Sequence, residues 1–179
     1  MNTEVFGVFG DRETFDQFAA PAKYDRVLEG RQVTVGVSDV ALGLPGRTQV
    51  YDDEDGLCVL WGEAFIDDAG STSTAKHLYD AFGERGANAL GSVNGSYLAV
   101  VERDGIARVF TDQLRSWECY YTDAPGVRVF GSDAAHVGRT IDDATPYWDA
   151  IREFTHFGNV FTDRTTIEEL ERAPFDGYL

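Results

Sequence analysis

The sequence predicts an α+β fold in which helices pack on the faces of antiparallel sheet. Three observations lead there. Residues 90–133 hold short apolar runs separated by turn signals at Arg103-Asp104-Gly105 and Asp123-Ala124-Pro125-Gly126, and Asp-Gly between two such runs marks a hairpin. Residues 31–40 alternate, with Val33, Val35 and Val37 on one side and Gln32, Thr34 and Gly36 on the other, as a half-buried strand does. Ala75, Leu78, Tyr79 and Phe82 recur at i, i+3, i+4 and i+7, the stripe of an amphipathic helix.

Taken in order, residues 5–9 form a short apolar run interrupted by Gly7 and ended by Gly10-Asp11, a strand. Residues 14–28 carry Phe15, Phe18, Ala19, Tyr24 and Leu28 with Pro21 in the middle, so a short helix followed by a turn is expected. The strand at 31–40 leads to a loop over 42–47, and the acidic run 52–55 is expected to be a turn. Residues 56–66 are apolar without a period of two, which fits a strand buried on both faces. A polar loop over 67–73 precedes the helix, with Thr74 as its cap and Gly86 as its end. The stretch 90–133 is expected to be a meander at the centre of one sheet. Residues 133–137 suit a turn of helix, 159–161 a strand and 166–171 a brief turn. Trp148, Phe154, Phe157 and Phe161 are dense for a C-terminal segment. Core is their default, and an interface is the alternative.

The 179 residues suit one domain spanning 1–179, and an apolar share of 43% fits a folded chain. Charge is the unusual feature. Asp and Glu number 31 against 15 Lys and Arg, a formal net charge of −16, and only Lys23 and Lys76 are lysines. Such a surface repels phosphate backbones and anionic headgroups, so neither nucleic acid nor a membrane surface is an expected partner. Acidic excess with scarce lysine resembles adaptation to a cytoplasm held at high salt, where screening removes self-repulsion. No basic-then-apolar leader opens the chain, and no run approaches the roughly 18 apolar residues of a membrane helix, so a cytoplasmic protein is expected.

Little in the sequence announces chemistry. There is no P-loop, no dinucleotide fingerprint, no His-Glu-x-x-His and no Cys-x-x-Cys. Cys58 and Cys119 sit in apolar strand contexts and read as buried free thiols. His77, His136 and His156 are far apart, so no metal and no cofactor is expected.

The order of short motifs says more. Thr3-Glu4-Val5-Phe6-Gly7-Val8-Phe9, Gly62-Glu63, Asn94-Gly95, Thr111-Asp112-Gln113-Leu114 followed by Tyr120-Tyr121, and Gly131-Ser132-Asp133 resemble the glutaminase half of asparagine synthetase, a class II glutamine amidotransferase. The similarity runs from Thr3 to Leu179 and is shortened between about Asp11 and Asp55. The tail Ala173-Pro174-Phe175-Asp176-Gly177-Tyr178-Leu179 resembles the turn that leads into the family's synthetase half, with the chain from about 140 onward leading toward it. The resemblance implies an N-terminal-nucleophile (Ntn) hydrolase-like αββα sandwich of two mostly antiparallel sheets.

It also implies a site that has changed. In the family an N-terminal cysteine attacks the glutamine amide and its own α-amine is the base. Thr3 matches that position but follows Met1-Asn2, so it could act only after a two-residue cleavage. The Asn-Gly that supplies an oxyanion donor matches Trp61-Gly62, with Glu63 next, and losing one such donor costs about 3 kcal/mol in barrier. The acidic residue that holds the glutamine amine matches Thr74, and the following Glu matches Lys76. The clamp for the substrate carboxylate has no counterpart beyond the nearby Arg31 and Arg47. The family's Arg-Asp-x-x-Gly is Thr111-Asp112-Gln113-Leu114-Arg115. Thr3, Trp61, Gly62, Glu63, Thr74 and Asp112 therefore read as remnants of a pocket. The expected function is that of a degenerate amidotransferase-like module without glutaminase activity. Its partner would be an asparagine-synthetase-like ATP-dependent domain or chain, or a second copy. The alternatives are an amidase that uses Thr3 after processing and a small-molecule binding module at Trp61 and Thr74.

Overall fold

The computed structural model describes residues 4–19, 24–38, 48–66 and 73–179. Its strands fall into two sheets. Among the described residues the larger sheet joins β1 (Glu4–Val8), β2 (Arg26–Glu29), β3 (Thr34–Ser38), β8 (Tyr120–Thr122), β9 (Val129–Gly131) and β10 (Glu171–Arg172) in the order β10-β8-β9-β1-β3-β2. The smaller joins β4 (Gln49–Asp53), β5 (Gly56–Ile66), β6 (Val93–Arg103) and β7 (Ile106–Thr111) in sequence order. Every paired neighbour is antiparallel.

Side-chain parity shows how the sheets stack. Val5, Val35, Val37 and Phe130 of the larger sheet, with Val33 just before β3, share one buried cluster with Leu57, Val59, Trp61, Leu98, Val100 and Val109 of the smaller. The alternate residues of β5 and β6, Cys58, Leu60, Ala99 and Val101, face outward into a second cluster with Ala75, Leu78 and Phe82 of helix α2 (Thr74–Arg85). Phe6 and Val8 of β1 face the other way, against Phe15 of α1 (Arg12–Phe18) and Val137 of α3 (Ala134–Gly138). The layers are therefore helix, sheet, sheet, helix. The expected αββα sandwich is the observed one.

Local chemistry explains the element ends. Asp11 accepts from the Thr14 amide at 2.9 Å to open α1. Asp133 accepts from the Ala135 amide at 2.9 Å to open α3. A fourth helix, α4 (Trp148–Phe157), ends at Gly158 with φ 70°.

Several expectations need correction. The meander over 90–133 is two hairpins in different sheets: β6 and β7 belong to the smaller sheet, and β8 and β9 to the larger. Residues 112–119 carry the chain across. β3 is buried throughout rather than on one face, because α1 covers the side that Thr34 and Gly36 present. The acidic run is half strand, since Asp52 and Asp53 end β4 and only Glu54 and Asp55 turn. Leu28 lies in β2, where only a turn was expected. The cap of α2 is Ser73, whose Oγ accepts from the Lys76 amide at 3.3 Å, while Thr74 is the first helical residue. Residues 159–161 are no strand, because the carbonyl of Val160 accepts from Arg172 and the Phe161 amide donates to Glu153. The loop at 42–47 and most of that at 67–73 lie outside the described residues.

Residues 173–179 run back along β7. The Val109 and Leu179 backbones exchange bonds of 3.2 and 2.9 Å, and the Thr111 amide donates to Gly177 at 3.2 Å. The chain from β10 to the tail thus passes from the edge of one sheet to the edge of the other.

Candidate functional site

Two of the motifs that carry the resemblance, Gly62-Glu63 and Asn94-Gly95, lie close together on the paired strands β5 and β6, and a third, Gly131-Ser132-Asp133, lies against the start of β1. At β1, the Val5 amide donates to Ser132 Oγ at 3.0 Å and its carbonyl accepts from the Ser132 amide at 2.9 Å. Gly131-Ser132-Asp133 therefore bolts β9 to β1 and caps α3. Glu4, beside it, turns to the outer layer, where Oε1 lies 2.5 Å from His136 Nδ1. Tyr24 Oη lies 3.2 Å from the same nitrogen. The His136 ring stacks on Phe6 with centroids 4.2 Å apart. Thr3 lies outside the described residues, as does Arg47.

Trp61 is 5% exposed and belongs to the core cluster between the sheets that also contains Val5. Trp117 covers it, with ring centroids 4.6 Å apart, and Trp117 Nε1 donates to the Ser96 carbonyl at 3.1 Å. Gly62 follows with φ 110°, and a Cβ there would stand 2.4 Å from the Ser96 oxygen and 2.8 Å from Trp117 Nε1. Gly95, diagonally across the β5–β6 ladder, has φ 129°, and its Cβ would meet the Glu63 carbonyl at 2.1 Å. The glycines of two separate motifs thus permit one close approach of strands. Glu63 itself is exposed.

Asp112 is 2% exposed and saturated. Its carboxylate accepts from the amides of Tyr97 (3.1 Å), Leu114 (2.9 Å) and Ser116 (3.0 Å) and from Ser116 Oγ (3.1 Å). It folds the turn after β7 onto β6 and so delivers Trp117 to Trp61. With Asp112 and Asp176 nearby, burial pushes the Tyr97 phenol up to about 12. Arg115, at the family's glycine position, keeps a left-handed backbone with φ 47°. Its guanidinium is buried, donates to Asp163 at 2.7 Å and to the Ala173 carbonyl at 2.9 Å, and lies 3.9 Å over the Phe175 ring. These contacts hold the tail and offset the backbone cost.

The structure does not bring every matched residue together. Thr74 opens the outer helix and its Oγ1 donates to the Ala64 carbonyl at 3.2 Å, whereas the Trp61 ring points between the sheets. Lys76 pairs with Asp80 at 2.8 Å. Arg31 stands beyond the Thr34 end of β3, while Glu4 pairs with Ser38 at the other end, and its Nη2 donates to the Glu54 carbonyl at 2.9 Å. Neither cysteine offers a substitute nucleophile. Burial pushes the Cys58 thiol far up and that of Cys119 up to about 12, so both are thiols at neutral pH. Among the described residues no group of His, Cys, Asp and Glu could hold a metal ion, and no helix is long and apolar enough to cross a membrane.

Two features went unforeseen. Trp117 gave no periodic signal, because it lies in the crossing between sheets. Glu102 did give one: a carboxylate in register with inward-facing Leu98 and Val100 requires a partner.

No protein-family model matches the chain. No curated protein matches it. Among solved structures, it is similar to the glutamine phosphoribosylpyrophosphate amidotransferase from B. subtilis complexed with ADP and GMP, with a TM-score of 0.46 and 12% identity over 98% of this chain and 42% of that one. It is also similar to a structure described as the allosteric regulatory enzyme of purine biosynthesis, with a TM-score of 0.49 and 12% identity over 98% of this chain and 48% of that one. The chain spans less than half the length of either.

Proposed function

We propose that the chain is a degenerate class II amidotransferase-like module, related to the glutaminase half of asparagine synthetase, that does not hydrolyse glutamine. It would serve as a structural or regulatory part for an ATP-dependent synthetase domain or chain. The observation that carries this reading is Trp61. Where the family resemblance calls for the side-chain amide of an oxyanion donor, a buried indole fills space between the sheets under a second indole. A tetrahedral intermediate needs donors about 3 Å from its oxygen, in a cavity that admits the substrate. The two indoles, packed with centroids 4.6 Å apart, take up space that a substrate would need, and Trp117 Nε1 is already committed to the Ser96 carbonyl. Thr74 and Lys76 in place of the acidic residues leave the substrate amine without a counter-charge, and both cysteines are buried thiols.

The test is ammonia release from L-glutamine by the purified chain, with the N-terminus of the same sample sequenced. The expected result is no release above buffer and an N-terminus at Met1 or Asn2. Release abolished by Thr3→Ala in a chain beginning at Thr3 would overturn the reading in favour of an Ntn amidase.

A further inference from the structure

Among the described residues the larger sheet ends at β2, and the outer edge of that strand is open. Its pairing shows which groups it offers. The Gly30 amide donates to the Val33 carbonyl at 2.8 Å, and the same antiparallel register sets Leu28 opposite Val35 and Arg26 opposite Val37. Bonded and outward residues alternate along an antiparallel strand, so Arg26, Leu28 and Gly30 turn their backbone groups toward β3. Val27 and Glu29 turn theirs away from the sheet. The alternation is kept across the sheet, where the odd-numbered residues of β1 face β9 and the Ser132 amide donates to the Val5 carbonyl at 2.9 Å. Two amides and two carbonyls therefore stand ready on an edge of 4 residues, about 14 Å long.

The edge opens onto a cleft of about 450 Å³, within the range of ligand clefts. β2 and the turn after it form one wall, and the β4–β5 hairpin forms the other. Leu28 packs against the core cluster that holds Leu57, so the floor is apolar. Arg31 closes one end, where its Nη2 donates to the Glu54 carbonyl at 2.9 Å. Charge marks the walls. Glu29, Asp52, Asp53 and Glu54 line the cleft against the single guanidinium of Arg31. Asp53 is bound by Tyr79, Tyr51 and two amides. The carboxylates of Glu29, Asp52 and Glu54, in contrast, accept no hydrogen bond and join no ion pair among the described residues. Asp52 stands opposite Leu57 and shares its face, the one turned to the larger sheet.

We propose that the edge of β2 takes up a basic peptide segment in extended form, which pairs with Val27 and Glu29 as one more strand of the larger sheet. Main-chain bonds supply the attachment and side chains supply the choice of partner. The peptide residue opposite Leu28 faces the smaller sheet, with the apolar floor beneath it and Asp52 and Glu54 as counter-charges. Residues opposite Val27 and Glu29 lie on the other face, where Glu29 pairs with a lysine or arginine. An acidic strand would set its own charges against these carboxylates. A second copy of this chain, with a net charge of −16, meets the same repulsion over its whole surface, so the partner is a different and basic chain. The inference is independent of the amidotransferase-like reading, because Val27, Leu28 and Glu29 match none of the residues assigned to that site.

The test is amide hydrogen exchange of the full chain, read residue by residue by NMR in about 0.15 M KCl, with and without acetyl-Lys-Lys-Val-Lys-Lys-amide. The peptide should slow exchange at Val27 and Glu29 at least about tenfold, and change Leu28 and Gly30 less, since those amides are already bonded to β3. The same peptide N-methylated at alternate backbone nitrogens should bind at least about tenfold more weakly, and so should its all-glutamate counterpart. Val27→Pro removes one outward donor and spares the β3 ladder, so it should weaken binding too, with circular dichroism separating lost binding from lost folding. Exchange at Val27 and Glu29 unchanged by millimolar peptide would overturn the proposal. So would an N-methylated peptide that binds as tightly, which would reduce the effect to charge attraction, or a glutamate peptide that does. Slow exchange of these two amides in the chain without peptide would overturn it as well. It would assign the edge to the chain's own residues if seen at every concentration, and to a second copy if seen only at high concentration.

Discussion

Glu102 ties the two sheets together through hydrogen bonds. It ends the inward-facing row of β6, is 0% exposed, and accepts from the amides of Arg31, Gln32 and Val33 at 2.8, 3.0 and 3.1 Å. Those amides form the turn between β2 and β3, so a charge on one sheet is solvated by the backbone of the other. Burying a carboxylate is costly unless donors replace its water, and three amides do so here. Glu102→Gln keeps the shape but turns an amide NH2 toward N–H donors and removes the charge from the remaining bonds. The expected loss is about 2–4 kcal/mol, read as a fall of about 1–2 M in the urea midpoint with an unchanged slope. A change too small to resolve would mean that the turn is held by something other than this carboxylate. The sequence carries the signal for Glu102, a charge in phase with Leu98 and Val100. It carries none for its partners, because backbone amides in a turn have no residue-type signature.

At the scale of elements, strands were legible wherever burial imposes a period. β3 alternates because Val35 and Val37, like Val33 just before it, face the second sheet, and β5 does not alternate because both of its faces are covered. Membership of a sheet was not legible. β7 and β8 are consecutive strands close in sequence, yet the turn organised by Asp112 sends them to different sheets. The aromatics of α4 failed differently: the sequence reads Trp148, Phe154, Phe157 and Phe161 as core by default, yet each is at least half exposed. That Trp61 lies under Trp117, and Thr74 against Ala64, required coordinates.

The attachment of α2 to the β4–β5 hairpin is a second element-scale device, and its pH response follows from its chemistry. Asp53 accepts from Tyr79 Oη at 2.7 Å, from the amides of Asp55 and Gly56 at 3.0 and 3.1 Å, and from Tyr51 Oη at 3.1 Å. The bond from Tyr79 is the chief reason its carboxyl is held below the usual aspartate range, and the amides and Tyr51 add to it. A folded-state value below the unfolded one contributes stability that is fully present above the unfolded pKa, near 4, and is lost as pH falls through the folded value. Asp53→Asn should therefore lower the thermal midpoint at pH 7, and the gap from wild type should close as both proteins are acidified through the folded value, which lies below the ordinary aspartate range. A gap that is constant with pH would show that the hairpin uses Asp53 as a neutral acceptor only.

For the whole molecule the governing quantity is the charge of −16. Two electrostatic effects compete when salt is added. The exposed pairs, such as Arg12–Asp16 at 2.9 Å and Arg128–Asp123 at 2.7 Å, are each worth no more than about 1 kcal/mol and weaken with screening. Against them stands repulsion among 31 carboxylates that have only 15 basic partners, which screening also weakens, in the stabilising direction. Repulsion wins because it acts among all the uncompensated charges, while each pair acts alone. The Debye length falls from about 10 Å at 0.1 M to about 3 Å at 1 M, below the separation of most surface carboxylates, so the gain should accrue mainly within that range. The expected result is a thermal midpoint that rises steeply from 0.05 to 1 M KCl and then levels off. A midpoint that falls with KCl would place the pairs above the repulsion and remove any advantage of this composition at high salt. A rise confined to salt above 1 M would assign the effect to solvent exclusion rather than screening.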